Sequence, residues 1–273
     1  MDKTKTVDEK YESLKEYLKG LESVAVAFSG GVDSTLLITA AHEALGERAF
    51  AVTAHDAAMP ASELEEALRF CRERGIRHYV VETDPLTLPE YRHNHKDRCY
   101  HCKKYIFGNI AAEAARHGIS NIAEGSNMDD LGDYRPGMKA IEELHILSPL
   151  REAGLYKSEI RELSKRLGLP EWNKPAAACL ATRFAYGDTI TKEGLHRVEL
   201  AEALLKENGF VHCRVRVHGD LARLEVQPSD LARLAEDEMR SRICREIKSL
   251  GFTYVTMDMQ GYRTGSMNEA LEQ

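Results

Sequence analysis

Residues 24–34 read VAVAFSGGVDS, and this stretch decides the fold. Val24–Phe28 is a short continuous apolar run, the composition of a strand buried on both faces. Ser29-Gly30-Gly31-Val32-Asp33-Ser34 follows it and leads into TLLITAAHEAL, an apolar helical stretch that ends at Gly46. A glycine pair between strand and helix lets the backbone turn sharply and approach an anion closely. The amides that open a helix have no intrahelical acceptor and the helix end is positive, so phosphate oxygens find donors there. Ser29 and Ser34 add hydroxyl groups. There is no Gly-Lys-Ser/Thr, so this is not a Walker A loop. A plain glycine-rich turn is the competing reading.

Outward from this stretch the same alternation repeats. Upstream, Val7, Tyr11, Leu14, Leu18 and Leu21 recur at helical spacing and predict an amphipathic helix. Downstream, AFAVTA (49–54) and HYVVET (78–83) predict a second and third strand, NIAEG (121–125) a fourth and HILSPL (145–150) a fifth. Helices are expected over 62–74, opened by a Ser62-x-x-Glu65 capping box and stopped at Gly75, over 101–117, and over 157–167. Strands alternating with helices mean βαβ units: an α/β, Rossmann-like parallel sheet with helices on both faces. Ligands of such sheets sit outside the carboxyl ends of the strands. Ser29–Ser34, Thr53–Pro60 and Glu124–Asp130, with Gly125 among them, should therefore surround one crevice.

The tail has a different pattern. A helix over 193–208, strands RVRVHG (214–219) and ARLEVQ (222–227) forming a hairpin, a long helix over 229–250 and a last strand TYVTMDM (253–259) predict a smaller α+β domain. The turn-rich AYGDTIT (185–191) marks the boundary, giving domains over 1–188 and 189–273. With 273 residues there is enough chain for both. The net charge of −7 counts against sequence-blind nucleic-acid binding, which needs clustered Lys and Arg. The opening MDKTKTVDEK lacks the apolar core of a secretory signal, and no run approaches the roughly 20 apolar residues of a membrane helix. A cytoplasmic protein without a membrane partner is expected.

Six cysteines in such a compartment should be reduced thiols. Cys71, Cys213 and Cys244 read as buried small apolar residues. Cys99-Tyr-His-Cys102 is different, with Cys179 far along in AAACLATR. A CxxC pair serves as a redox couple, as half of a zinc site, or in an iron–sulfur site. The redox form follows the first strand of a thioredoxin-like unit, and this pair does not. Zinc wants four Cys or His ligands, and His93, His95 and His101 are near in sequence. Two unrelated thiols at a helix start are the plain alternative. Three cysteines around one cluster would leave a fourth iron open to an outside ligand, which suits sulfur delivery.

SGGVDS resembles the pyrophosphate-binding loop of the PP-loop ATP pyrophosphatases, the adenine nucleotide alpha hydrolase-like enzymes. These adenylate a carboxylate or carbonyl oxygen, release pyrophosphate and let a nucleophile displace AMP. The resemblance implies that Ser29, Gly30, Gly31, Asp33 and Ser34 hold the pyrophosphate end of ATP and that Asp33 helps to place Mg2+. EGSNMDDLGDYRPGMKA (124–140), the stretch SPLREAGLYKSEIRELSKRLGLPEWN (148–173), KPAAACLATRFAYG (174–187) and RVRVHGDLARLEV (214–226) sharpen it. Together, over nearly the whole chain, they resemble the LarE family of ATP-dependent sulfur transferases. Its members thiolate pyridinium-3,5-biscarboxylic acid mononucleotide, and the product becomes the pincer ligand of the nickel cofactor of lactate racemase. In one branch a single cysteine, matching Cys179, gives up its own sulfur and becomes dehydroalanine; in the other, three cysteines bind a [4Fe–4S] cluster. Cys99 and Cys102 beside Cys179 make this chain resemble the cluster branch. The resemblance also implies a homo-oligomer assembled through the C-terminal domain.

Other residues carry weaker signals. Lys103 and Lys104 could neutralise a phosphate or carboxylate, though surface lysines need no ligand. Arg183, four residues after Cys179, could orient the anionic substrate. Arg214 and Arg216 share a strand face, and two guanidiniums side by side repel unless an anion such as the nucleotide phosphate lies between them; a solvated edge strand is the plain reading, and Glu225 could pair with Arg214 or Arg216 instead of touching a ligand. Asp129 and Asp130 could hold Mg2+ or cap a helix. Trp172 beside Lys174 reads as a packing anchor. A tRNA thiolase, an ammonia-using synthetase and a non-catalytic nucleotide sensor are the competing functions.

Overall fold

A computed structural model describes residues 5–132, 136–175, 178–263 and 266–267. Asp133–Arg135 of the 124–140 stretch and Ala176–Ala177 of the 174–187 stretch lie outside the described residues. The chain forms two compact units, one from Met1–Pro85 and Cys99–Ala177, the other from Leu86–Arg98 and Ala178–Gln273.

The first unit carries α1 (Val7–Gly20), β1 (Val24–Ala27), α2 (Val32–Leu45), β2 (Ala49–His55), α3 (Ala61–Glu73) and β3 (His78–Glu82). After α4 (Pro89–Arg92) of the second unit, it continues with α5 (Arg98–Arg116), β4 (Ile122–Ala123), α6 (Pro136–Glu143), α7 (Pro149–Glu152) and α8 (Lys157–Arg166). Four parallel strands run in the order β3-β2-β1-β4. Alternate side chains leave opposite faces of a strand. Val24 and Val26 accordingly join the core beneath Leu14, Leu36 and Ile160, while Ala25, Phe50 and Val52 join the core beneath Phe107, Ile110 and Ile141. The sheet is thus covered on both faces, as its near-continuous apolar strands require.

Two expectations for this unit need correction. His145–Leu150 is not a strand: only Leu147 bridges, to Ala123, and Ser148-Pro149 opens α7 instead. Proline fixes φ and lacks the N–H of a ladder, which suits the first helical position. Ser62 and Glu65 form no capping box, because α3 starts one residue earlier, after Pro60, with no side-chain cap. A capping box does occur at α1, where Thr6 and Glu9 satisfy each other's backbone amides.

The second unit continues with α9 (Lys192–Glu207), β5 (Cys213–His218), β6 (Leu221–Val226), α10 (Leu231–Ala235), α11 (Asp237–Ser249) and β7 (Tyr254–Met257). β5 and β6 are antiparallel and β7 adds parallel to β6. The long helix expected over 229–250 is broken at Glu236, whose extended backbone (φ −57°, ψ 139°) separates α10 from α11. Asp237 and Glu238 then sit in a new first turn, where the helix dipole favours negative charge. Among the described residues no helix is long and apolar enough to cross a membrane.

Candidate active site

The carboxyl ends of β1, β2 and β4 open onto a cleft of about 660 Å³ within the first unit. Ser29, Gly31, Asp33 and Ser34 line it together with Thr53, Met59, Gly125, Asp129 and Asp130. Gly31 is the N-cap of α2 and no side chain caps the first turn, so the amides of Val32–Ser34 lack helical acceptors and are available to an anion. The Ser29 and Ser34 hydroxyls lie 3.2 Å apart, and Ser34 Oγ donates to the Gly31 carbonyl at 3.1 Å.

Two glycines are required by shape. Gly30 has φ +67°, in the left-handed region. Lys174 Nζ holds the Gly30 carbonyl from behind at 3.1 Å and pairs with Glu66 at 2.8 Å. Gly125 lets the end of β4 touch the first turn of α2: a Cβ there would stand 3.1 Å from Ser34 N and 3.2 Å from Asp33 Cβ.

Asp33 is the hub of a polar network. Lys157 Nζ donates to Asp33 Oδ2, and Asn127 Nδ2 donates to its Oδ1 at 3.2 Å. Lys157 N–H donates to Asp129 Oδ2 at 2.6 Å, and Asn127 N–H to Asp130 Oδ2 at 2.9 Å. Asp129 and Asp130 are thus engaged with backbone amides. Glu124 is buried in the cleft wall and accepts hydroxyl bonds from Ser126 at 2.8 Å and Ser148 at 2.7 Å. Four carboxylates (Asp33, Glu124, Asp129, Asp130) face two lysines (Lys103, Lys157) among the residues lining the cleft. A polyanionic nucleotide needs added positive charge there. The oxygen donors suit a hard cation such as Mg2+. Among the described residues no three His, Cys, Asp or Glu converge on a metal position, so phosphate oxygens and water would complete such a shell.

Behind the cleft, His78 Nε2 lies 2.7 Å from Thr53 Oγ1, and Thr53 gives its single proton to the Phe28 carbonyl at 2.7 Å. His78 must therefore donate from Nε2, leaving Nδ1 buried and unpartnered. Burial lowers the His78 pKa to about 4, so the ring is neutral.

Cys99 and Cys102 open α5, one turn apart; Cys99 is exposed and Cys102 half-buried. Cys179 is exposed in the second unit, ahead of a short 3-10 turn over Leu180–Arg183. Cysteine thiolates are the usual protein ligands of iron–sulfur clusters.

The surroundings of Cys179 are highly organised. Arg183 is buried and does not reach outward; it grips Glu202 through two bonds of 2.8 and 3.0 Å and donates to the carbonyls of Ala178 and Cys179 at 2.7 and 3.2 Å. Burial acts to raise the Glu202 carboxyl, but Arg183 overrides it and holds the group below its ordinary value. Tyr91 Oη on α4 lies 3.8 Å from Cys179 Sγ. Asn94 Nδ2 donates to the carbonyls of Phe184 and Ala185, and Arg98 to that of Ala181 at 3.0 Å. The segment before Cys99 thus clasps the loop that carries Cys179.

Arg216 is buried and paired with Glu225 at 2.9 Å, and Glu225 also takes Arg223 and Ser266. Arg214, half-buried over the Tyr262 ring, has its pKa lowered by burial and then by the Arg183 charge. Cys71 and Cys213 are buried, and burial pushes both thiols up to about 12; Cys244 is only half-buried. Sequence reasoning did not single out Lys157, Asn127, Glu124, Tyr91 or Glu202. Glu124 and Asn127 lie in the Glu124–Asp130 segment expected at the crevice, Lys157 lies in a stretch that carries the resemblance and Tyr91 precedes Cys99, whereas Glu202 carried no signal.

The NAD synthase family profile matches residues 6–121. An uncharacterised protein of Synechocystis sp. is 39% identical over 97% of this chain and 99% of its own. The pyridinium-3,5-bisthiocarboxylic acid mononucleotide synthase of Lactiplantibacillus plantarum is 36% identical over 97% of this chain and 96% of its own. A glutamine-hydrolysing GMP synthase polypeptide of Pyrococcus horikoshii is 28% identical over 76% of this chain and 71% of its own. With a parallel α/β sheet, an uncapped glycine-rich loop at its carboxyl end and likeness sustained from end to end, the chain belongs to the LarE family, that of the pyridinium-3,5-bisthiocarboxylic acid mononucleotide synthase.

Proposed function

We propose that the chain is an ATP-dependent sulfur transferase. It adenylates a carboxylate of pyridinium-3,5-biscarboxylic acid mononucleotide, releases pyrophosphate and exchanges the activated oxygen for sulfur, yielding a thiocarboxylate for nickel-pincer nucleotide biosynthesis. The observation that carries this reading is the 36% identity to the Lactiplantibacillus plantarum synthase across 97% of the chain.

The residues fit the steps. The amides of Val32–Ser34 and the hydroxyls of Ser29 and Ser34 hold the β and γ phosphates. Asp33 would hold Mg2+, which would offset phosphate charge when bound, and Lys157, released from Asp33, neutralises the phosphates. A substrate carboxylate oxygen bonds to the α phosphorus while the bridge to the β phosphate breaks, its electron pair leaving with pyrophosphate. A sulfur nucleophile then adds to the acyl carbon and AMP departs. Positioning and charge neutralisation supply most of the acceleration. Arg214 bears on the substrate phosphate, with Arg216, held by Glu225, as a fixed charge behind it, and the C-terminal domain over 189–273 binds substrate and assembles copies of the chain. Arg183, fixed by Glu202, positions the Cys179 loop.

Cys99, Cys102 and Cys179 would hold a [4Fe–4S] cluster, which supplies a transferable sulfide when bound. The second route uses the Cys179 sulfur itself: its thiolate displaces AMP, and loss of the Cys179 α proton expels the thiocarboxylate and leaves dehydroalanine. The exposure of Cys179 is compatible with this route.

The test is incubation with ATP, Mg2+ and the mononucleotide, followed by mass spectrometry of product and chain. A thiocarboxylate product supports the function; thiolated nucleosides from tRNA, with no thiocarboxylate, overturn it. An unchanged chain with about four irons after anaerobic reconstitution supports the cluster. Loss of one sulfur and two hydrogens at Cys179 supports sacrifice, and colourless protein with stoichiometric zinc removes the cluster.

A further inference from the structure

On α5 the cleft wall and the thiol pair share one face. At 3.6 residues per turn, Cys99, Cys102, Lys103, Ile106, Phe107 and Ile110 fall within an arc of about 140°. Lys103, Ile106, Phe107 and Ile110 line the cleft, and Cys99 and Cys102 continue the same face toward the helix start. Lys103 is the joint between these halves, next to Cys102 in sequence and one turn beyond Cys99.

Lys103 differs from its neighbouring cations. Lys104 turns away from the cleft to Glu143 at 3.1 Å and Tyr100 at 3.2 Å. Lys157 is taken by Asp33. Among the described residues Lys103 has no ion-pair or hydrogen-bond partner, although it is half-buried in the cleft wall. Its stem is pressed on Gly137 of α6, where a Cβ would stand 2.6 Å from Lys103 Cδ and 3.0 Å from Cε. Glycine at 137 leaves the passage that the side chain occupies. A partly desolvated ammonium with a fixed stem and no counter-ion is a receptor for an anion.

We propose that Lys103 is the subsite for a carboxylate of the acceptor substrate. The phosphate end of the cleft already has the α2 amides and Lys157, whereas Lys103 stands beside the thiols, where the acyl carbon must meet sulfur. The ammonium pairs with the free carboxylate, lowers the repulsion between substrate and ATP, and keeps the acceptor on the sulfur side. The assignment rests on the function proposed above, because it takes its ligand from that reaction.

Calorimetry on the full chain tests it, with Mg-ATP and pyridinium-3,5-biscarboxylic acid mononucleotide titrated separately into wild type, K103M, K103R and G137A, each checked by thermal melting. K103M should weaken mononucleotide binding by about 10- to 100-fold, the worth of one charge-assisted bond, and leave ATP within about twofold. K103R, which keeps the charge, should recover part of the loss. G137A keeps the lysine but displaces its stem, and should weaken the mononucleotide while sparing ATP. Weakened ATP with unchanged mononucleotide would make Lys103 a phosphate ligand and overturn the proposal, as would no change in either. If wild type itself does not bind the mononucleotide, the function reading falls and takes this assignment with it. If wild type binds and K103M matches it, only the assignment of Lys103 falls.

Discussion

Replacing Gly125 by alanine tests the phosphate cradle at its tightest point. The new Cβ would lie 3.1 Å from Ser34 N, 3.2 Å from Asp33 Cβ and 3.3 Å from Asp33 C. Two of these three are backbone atoms, and none is the end of a flexible side chain, so β4 and the start of α2 must separate by a few tenths of an ångström. Overpacking of this kind costs roughly 1–3 kcal/mol of stability. The larger effect is on the ligand. The Ser34 amide belongs to the uncapped first turn, and moving it off a phosphate oxygen forfeits one hydrogen bond to a charged group, about 1.5–3 kcal/mol. Mg-ATP affinity should fall about 10- to 100-fold. Gly108→Ala is the control: it lies exposed in α5 with nothing within 4 Å of its added methyl, and should gain roughly 0.5–1 kcal/mol of stability without touching affinity. Calorimetric titration and thermal melts read both quantities. Gly125→Ala protein that melts lower yet binds Mg-ATP like wild type would refute the cradle and leave Gly125 as a packing glycine.

Other consequences are as direct. Glu202→Ala strands the buried Arg183 guanidinium and should cost roughly 3–5 kcal/mol, read by urea unfolding, whereas the double change Arg183→Met with Glu202→Leu should cost less. His78 is neutral when folded, with its pKa lowered to about 4 from 6.5, so the unfolded chain takes up a proton first as pH falls. The stability it supports is complete above pH 6.5 and is lost from there down to about pH 4. Melting temperature should drop across that window in wild type, and the drop should shrink in His78→Gln. Iodoacetamide at neutral pH should label Cys99 and Cys179 in the folded apo chain and spare Cys71 and Cys213, whose burial pushes them up to about 12. Early labelling of Cys213 would show that the β5 core opens readily.

The parallel sheet and the loop at its edge were legible because strand burial and helix opening are local. VAVAF must be covered on both faces, and SGGVDS must turn and expose amides, whatever surrounds them. Leu147 shows the limit, since it looks like strand but the proline two residues on starts a helix. The Glu236 break was illegible because neither glycine nor proline marks it; two acids simply favour a new helix start. Polar partnerships were harder still. Arg183 four residues after a reactive-looking cysteine reads as a substrate ligand, yet its counter-ion Glu202 lies on another helix, a pairing that spacing along the chain does not encode. Arg216 is likewise answered by Glu225, a pairing the sequence offered as the lesser alternative. Lys103 and Lys104 are indistinguishable as letters and separate only once the helix gives each a direction.

The central claim is that ATP is cleaved between its α and β phosphates to activate a pyridinium carboxylate. The most direct measurement is the identity of the nucleotide product, resolved by anion-exchange chromatography, with Cys179→Ala protein alongside wild type. The account predicts AMP and pyrophosphate, formed only when pyridinium-3,5-biscarboxylic acid mononucleotide is present, with ATP binding retained but no thiocarboxylate formed by Cys179→Ala. ADP and phosphate, or AMP formed equally well without the mononucleotide, would contradict it.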